Sequence, residues 1–186
     1  IGVVLNERKA FELALQSANG GDSWGQSRLG YYYEDGIGVD QDYKAAMHWY
    51  NEAANKENPL AMLALSQFYE EGIGVDKDKN LTIYWLNKSV SLGFGLAMTS
   101  LGGKYYFGET VTKDYMMAEQ LLLKAYSKGD LSSDLMLGQL YADDATALYD
   151  LEKSFIWLNR TMLRDNYRDN KLAARLLGGN YLSLEV

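Results

Sequence analysis

Residues 29–54 read LGYYYEDGIGVDQDYKAAMHWYNEAA, and the same pattern returns every 36 residues along the chain. Leu29, Leu65, Leu101 and Leu137 fall in step, as do Tyr33, Tyr69, Tyr105 and Tyr141, Gly36, Gly72 and Gly108, and Trp49, Trp85 and Trp157. A fixed period of this length marks a solenoid, because one such unit cannot bury its own apolar face and must stack on neighbours. The pattern predicts an all-α protein whose function sits on a surface.

Each period reads as two helices. In the second one, Pro59 suits a first helical turn, where its missing N–H costs nothing, and Ala61, Leu65, Phe68 and Tyr69 recur on one face. Gly72-Ile73-Gly74-Val75 follows, with glycines able to take the positive φ that ends a helix, and Val75 placed to fill the gap between the helices. Asp78 then opens the second helix as an N-cap, and Asp42, Asp114 and Asp150 hold the same place elsewhere. Ala45, Ala46, Trp49, Tyr50, Ala53 and Ala54 form a packing stripe at helical spacing. The spacing places first helices at 24–35, 59–71, 95–107 and 131–143, and second helices at 42–55, 78–92, 114–128 and 150–164. The repeats divide one domain, 1–186, into a half repeat 1–20, repeats 21–58, 59–94 and 95–130, a divergent repeat 131–166 and a half repeat 167–186. Ile1-Gly2-Val3 aligns with the turn Ile37-Gly38-Val39, and about four residues are inserted near Asp165 to Asn170.

Composition supports this and narrows the partners. Hydrophobic residues make up 47% and charged residues 23% of the 186, enough for an elongated core. Net charge is −7 with a pI of about 4.8, the opposite of a phosphate-binding surface, so no nucleic-acid partner is expected. A basic partner or an uncharged surface fits better. With no cysteine there is no disulfide or thiolate chemistry. The nearly apolar stretch from Leu92 to Gly103 is too short and too glycine-rich for a bilayer, so direct membrane insertion is not expected.

The run Leu29-Gly30-x-x-Tyr33-x-x-Gly36-x-Gly38-Val39-x-x-Asp42-x-Lys44-Ala45-x-x-x-Trp49-Tyr50-x-x-Ala53-Ala54 resembles the Sel-one-like repeat family, relatives of tetratricopeptide repeats. The resemblance covers nearly the whole chain and weakens in the fourth unit, where Asp144 and Ala147 replace the turn glycine and valine, implying another conformation there. It implies a right-handed superhelical solenoid of stacked helix-turn-helix repeats and a role in protein–protein interaction. Family members include bacterial periplasmic or secreted proteins and immunity proteins beside secreted lipase effectors. The resemblance therefore implies a periplasmic or secreted setting and, as an alternative to a scaffold, an inhibitor that occludes a toxin or lipase. The exposed half repeats predict end-to-end self-association.

Residues that could carry chemistry are sparse. His48 is the only histidine, and Tyr84, Gln120 and Ile156 replace it in the other units. Nothing supplies the nucleophile and orienting carboxylate that a general base needs. Asp76-x-Asp78-x-Asn80 starts like a calcium loop but has Leu81 at the glycine position and Asn87 at the glutamate position, so capping explains Asp78. Gly36-Ile37-Gly38 lacks the third glycine of a dinucleotide site. No catalytic residue, metal site or cofactor is expected, and repeat symmetry alone accounts for carboxylate pairs such as Glu34 with Glu70.

What remains is a surface. In the tetratricopeptide register, the concave face presents Tyr31, Glu34 and Asp35, then Gln67, Glu70 and Glu71, then Tyr106 and Phe107, and finally Gln139 and Asp143, with Trp24 as an anchor at the outer edge. Carboxylates at a helix C-terminus oppose the helix dipole, so helix stability does not explain Glu34, Asp35, Glu70 and Glu71. Two readings stand: a solvated helix end, or an acidic groove that becomes aromatic and takes a protein or peptide segment.

Overall fold

The computed structural model describes residues 2–163 together with 175, 176 and 178. Among these, every regular element is an α-helix, and the chain is an all-α helical repeat solenoid. It divides into two compact units, Ile1–Leu92 and Gly93–Val186.

The first unit holds α1 (Gly2–Asn19), α2 (Ser23–Asp35), α3 (Tyr43–Asn55), α4 (Pro59–Glu71) and α5 (Lys79–Ser91). Sequential helices pack as α1 on α2, α2 on α3, α3 on α4 and α4 on α5. The second unit holds α6 (Gly95–Phe107), α7 (Tyr115–Ser127), α8 (Ser133–Ala142) and α9 (Leu151–Met162). Sequence-derived boundaries differ from these by at most two residues. Gly2-Val3 departs from expectation: Gly38 and Gly74 sit in turns at φ +71° and +67°, whereas α1 already runs from Gly2. A lone glycine costs only about 1 kcal/mol in a helix, so Gly2 follows the helical run behind it. The Asp165–Asn170 insertion lies outside the described residues, as does most of the last half repeat.

Four equivalent hydrogen bonds close the helix-turn-helix pairs. The amides of Asp42, Asp78, Asp114 and Asp150 donate to the carbonyls of Tyr33, Tyr69, Tyr105 and Tyr141 at 2.8, 2.9, 3.0 and 2.9 Å. The same aspartates cap the helices they precede: the Asp42 carboxylate accepts from the Lys44 and Ala45 amides at 2.9 and 3.0 Å. Asp42→Ala should lower stability by about 1 kcal/mol, read from the urea midpoint, since it leaves those amides uncapped. In the first three turns the chain leaves the helix through Gly36, Gly72 and Gly108 at φ +68°, +74° and +75°. The fourth does not: α8 ends at Asp143 in an extended conformation, and that residue's carbonyl accepts from Thr146 N–H. Different turn chemistry thus reaches the same Tyr141–Asp150 closure.

The cores follow the period. In the first unit Ala46, Tyr50, Ala53, Ala61, Leu65 and Phe68 form one buried cluster, with Trp85 and Ile73 packed against it. Ile73 is the turn residue packed against this core; it and Val75 are both half-buried. In the second unit Ala118, Leu122, Leu137, Leu140 and Tyr141 do the same. Gly30, Gly102 and Gly138, each following the periodic leucine, make room for a large side chain on the following helix. A Cβ on Gly30 would lie 2.8 Å from the Tyr50 ring, and one on Gly138 would lie 2.4 Å from Leu158.

Candidate functional site

The first unit carries a groove of about 790 Å³ built from α1, α2 and α4, with Tyr50 of α3 also lining it. Its walls pair residues one period apart: Trp24 with Leu60, Ser27 with Leu63, Arg28 with Ala64, and Tyr31 with Gln67. Helix α1 adds Leu13, Ala14 and Ser17 along one side. Leu13, Trp24 and Tyr31 remain 58%, 57% and 45% exposed, an apolar surface that no neighbouring helix of the unit covers. Gly25 lets α1 and α2 close on each other here, since a Cβ would come within 2.6 Å of the Ser17 Cβ.

One end of the groove is acidic. The Tyr50 hydroxyl donates to Glu34 at 2.5 Å. Burial raises the Glu34 carboxyl above the usual glutamate range, the charges of Asp35 and Glu71 push it the same way, and the Tyr50 hydrogen bond pulls it down. Tyr50 is itself raised, mainly by burial and then by donating to Glu34. Asp35 takes a hydrogen bond from Tyr31 and raises that phenol.

A carboxyl that binds its proton more tightly folded than unfolded weakens the fold as pH rises through its raised value. Glu34→Gln, which can still accept from Tyr50, is therefore expected to be at least as stable as the parent at pH 7 and to lose that part of the pH dependence. Tyr50→Phe should cost about 1–3 kcal/mol by leaving a half-buried carboxylate without its donor. It should also raise the Glu34 titration further. Urea denaturation at two pH values and carboxyl NMR read both effects.

The second unit has a smaller cleft of about 460 Å³, lined by Tyr106, Phe107, Gln139, Ala142, Asp143, Asp144 and Leu176. Tyr106 donates to Asp143 at 3.0 Å, and burial together with that bond pushes its phenol up to about 12. Phe107 is 51% exposed beside it, with ring centroids 4.8 Å apart.

The residues expected from sequence thus fall into separate groups. Trp24, Tyr31, Glu34 and Gln67 line the first groove. Tyr106, Phe107, Gln139 and Asp143 line the second cleft. Asp35, Glu70 and Glu71 line neither, so the first groove is mainly apolar with a single lining carboxylate rather than acidic along its length. The register rule does not select Leu13, Arg28, Leu60 and Leu63, which also line the first groove. The signal for Leu60 was available, because it stands one period after Trp24. His48 is exposed on α3, edge-on to Trp49, and no cluster of three metal-ligating side chains occurs among the described residues.

Residues 1–22, 25–58, 59–94, 95–130 and 132–161 match the Sel1 repeat. The chain belongs to the Sel1 repeat family. Proteins of this family generally serve as protein-interaction scaffolds and are typically non-enzymatic. The chain is similar to a Sel1 repeat protein from Oxalobacter formigenes, with TM-score 0.74 and 30% identity over 91% of this chain and 50% of that one. It is also similar to c5321, a protective antigen present in uropathogenic Escherichia coli strains displaying an SLR fold, with TM-score 0.73 and 26% identity over 91% and 36% of the two chains. The immunity protein Pa5087 from Pseudomonas aeruginosa shares the fold at TM-score 0.62 and 19% identity, over 93% of this chain and 71% of that one. A 57-residue stretch is 42% identical to the chitin synthase regulator SKT5 of Saccharomyces cerevisiae, covering 31% of this chain and 8% of that protein. The chain thus spans half or less of the length of the first two solved structures and a small part of SKT5.

Proposed function

We propose that this chain is a binding module, without catalytic chemistry of its own, that holds a protein segment in the groove of the first unit. The observation that carries the reading is the uncovered apolar wall formed by Leu13, Trp24, Tyr31 and Leu60. Contiguous exposed apolar surface raises the free energy of the isolated protein in water, and a large patch of it marks an interaction site. Trp24 and Tyr31 are the residue types that most often anchor such contacts, offering large area at low entropy cost.

Site-specific crosslinking in cells tests this. A photo-crosslinking residue at Tyr31 should capture a defined protein, and capture should fail when Trp24→Ala is added. The same residue at the exposed His48, on α3, should not capture it. Capture from His48 but not from Tyr31 would move the binding surface to the other helices.

A further inference from the structure

The groove's charges are unevenly placed, and this restricts what it can hold. Trp24 lies near the start of α2 and Glu34 near its end, ten positions apart, which is about 15 Å along the helix axis. Arg28 lines the groove one turn after Trp24. Glu34 lines it at the far end, where the charges of Asp35 and Glu71 act on the same carboxyl. The C-terminal end of α2 adds its negative partial charge there. One end is therefore apolar and flanked by a cation, and the other concentrates negative charge from α2 and α4.

Resting on the groove reading above, we infer that the bound segment carries a bulky apolar residue and a lysine or arginine about 15 Å apart, seated with the apolar side chain on Trp24 and Leu60 and the cation against Glu34. In an extended chain this spacing is four or five residues. The orientation is fixed because Arg28 repels a cation placed beside Trp24, while Glu34 gains from one at its own end. Glu34 is half-buried and shares its surroundings with other carboxylates, so an arriving cation relieves repulsion already present. Tyr50 holds the carboxylate in place before binding, which reduces the ordering cost.

A random peptide library displayed on phage and selected on the immobilised 186-residue chain tests this, followed by anisotropy measurements on the enriched peptides. Enriched peptides should share an apolar residue and a Lys or Arg four or five positions apart. Their affinity should fall about tenfold on Glu34→Gln and about thirtyfold on Trp24→Ala. A peptide with its cation moved next to the apolar residue should bind weakly to the parent and better to Arg28→Ala. Peptides without a basic residue that lose affinity on Trp24→Ala but ignore Glu34→Gln would overturn the inference and leave the groove intact as a site. Binding indifferent to Trp24→Ala, or no enrichment at all, would overturn both.

Discussion

Phe68→Ala is expected to destabilise the first unit by about 3–5 kcal/mol, the usual cost of removing a fully buried aromatic ring. Phe68 is 0% exposed and lies at the junction of α3 and α4. Its ring meets Tyr50 edge-on at 5.6 Å and Tyr43 at 6.3 Å between centroids. The loss is therefore not confined to a cavity. Tyr50 is held between the Gly30 gap on one side and Phe68 on the other, and its hydroxyl is the donor to Glu34. Removing Phe68 should let the Tyr50 ring tilt, so Glu34 should titrate at higher pH in whatever fraction remains folded. Urea denaturation gives the stability change, and carboxyl NMR of Glu34 in low urea gives the second effect. Phe107→Ala serves as the control: that ring is 51% exposed, and its removal should change stability by no more than about 0.5 kcal/mol. A Phe68→Ala cost near that of Phe107→Ala would mean that the Tyr50–Glu34 pair is supported from elsewhere.

The repeat was readable because its signals are local and recur. Asp42, Asp78, Asp114 and Asp150 cap in place, and the turn glycines take the left-handed backbone that only the period could locate. The groove was only partly readable. A register rule assigns residues to a face, but successive helical residues turn by about 100°, so Glu34 enters the groove while its neighbour Asp35 does not. Helix α1 contributes Leu13 and Ala14 from a half repeat to which the first-helix register does not apply. Tyr50 is the instructive case. It belongs to the packing stripe and packs there, 3% exposed, yet the other units carry Leu86, Leu122 and Leu158 at its position. A departure from the period that adds a hydroxyl to a core position needs a polar partner, and Glu34 is that partner. Asn58, outside the stripe, caps α4 through the Ala61 amide and donates to the Ser23 carbonyl, tying the start of α4 to the start of α2. The cap has a sequence signature, Asn58 directly before Pro59, whereas the Ser23 contact has none, because it depends on where α2 lies.

Gly38→Ala should cost about 2–4 kcal/mol, combining strain in a left-handed backbone with a clash that cannot be relieved by rotating a side chain. Gly38 sits at φ +71°, and a Cβ there would lie 2.5 Å from the Glu7 carbonyl oxygen and 2.8 Å from the Arg8 nitrogen, both in the backbone of α1. Gly72 has a similar φ of +74°, but its nearest obstacle is the Lys77 side chain at 3.0 Å, which can move aside. Gly72→Ala should therefore cost only the backbone strain, about 1–2 kcal/mol. The difference between the two variants isolates the packing of this turn on α1. Because α1 forms one wall of the groove through Leu13, Ala14 and Ser17, displacing it should also weaken binding of a groove ligand, whereas Gly72→Ala should not. Hydrogen exchange locates the effect: amides of α1 should exchange faster in Gly38→Ala while those of α4 stay protected. Unchanged exchange across α1 would show that backbone strain alone requires glycine at position 38, and that the helix forming the groove wall is held by its packing on α2, where Ala14, Ala18 and Leu29 form the buried cluster.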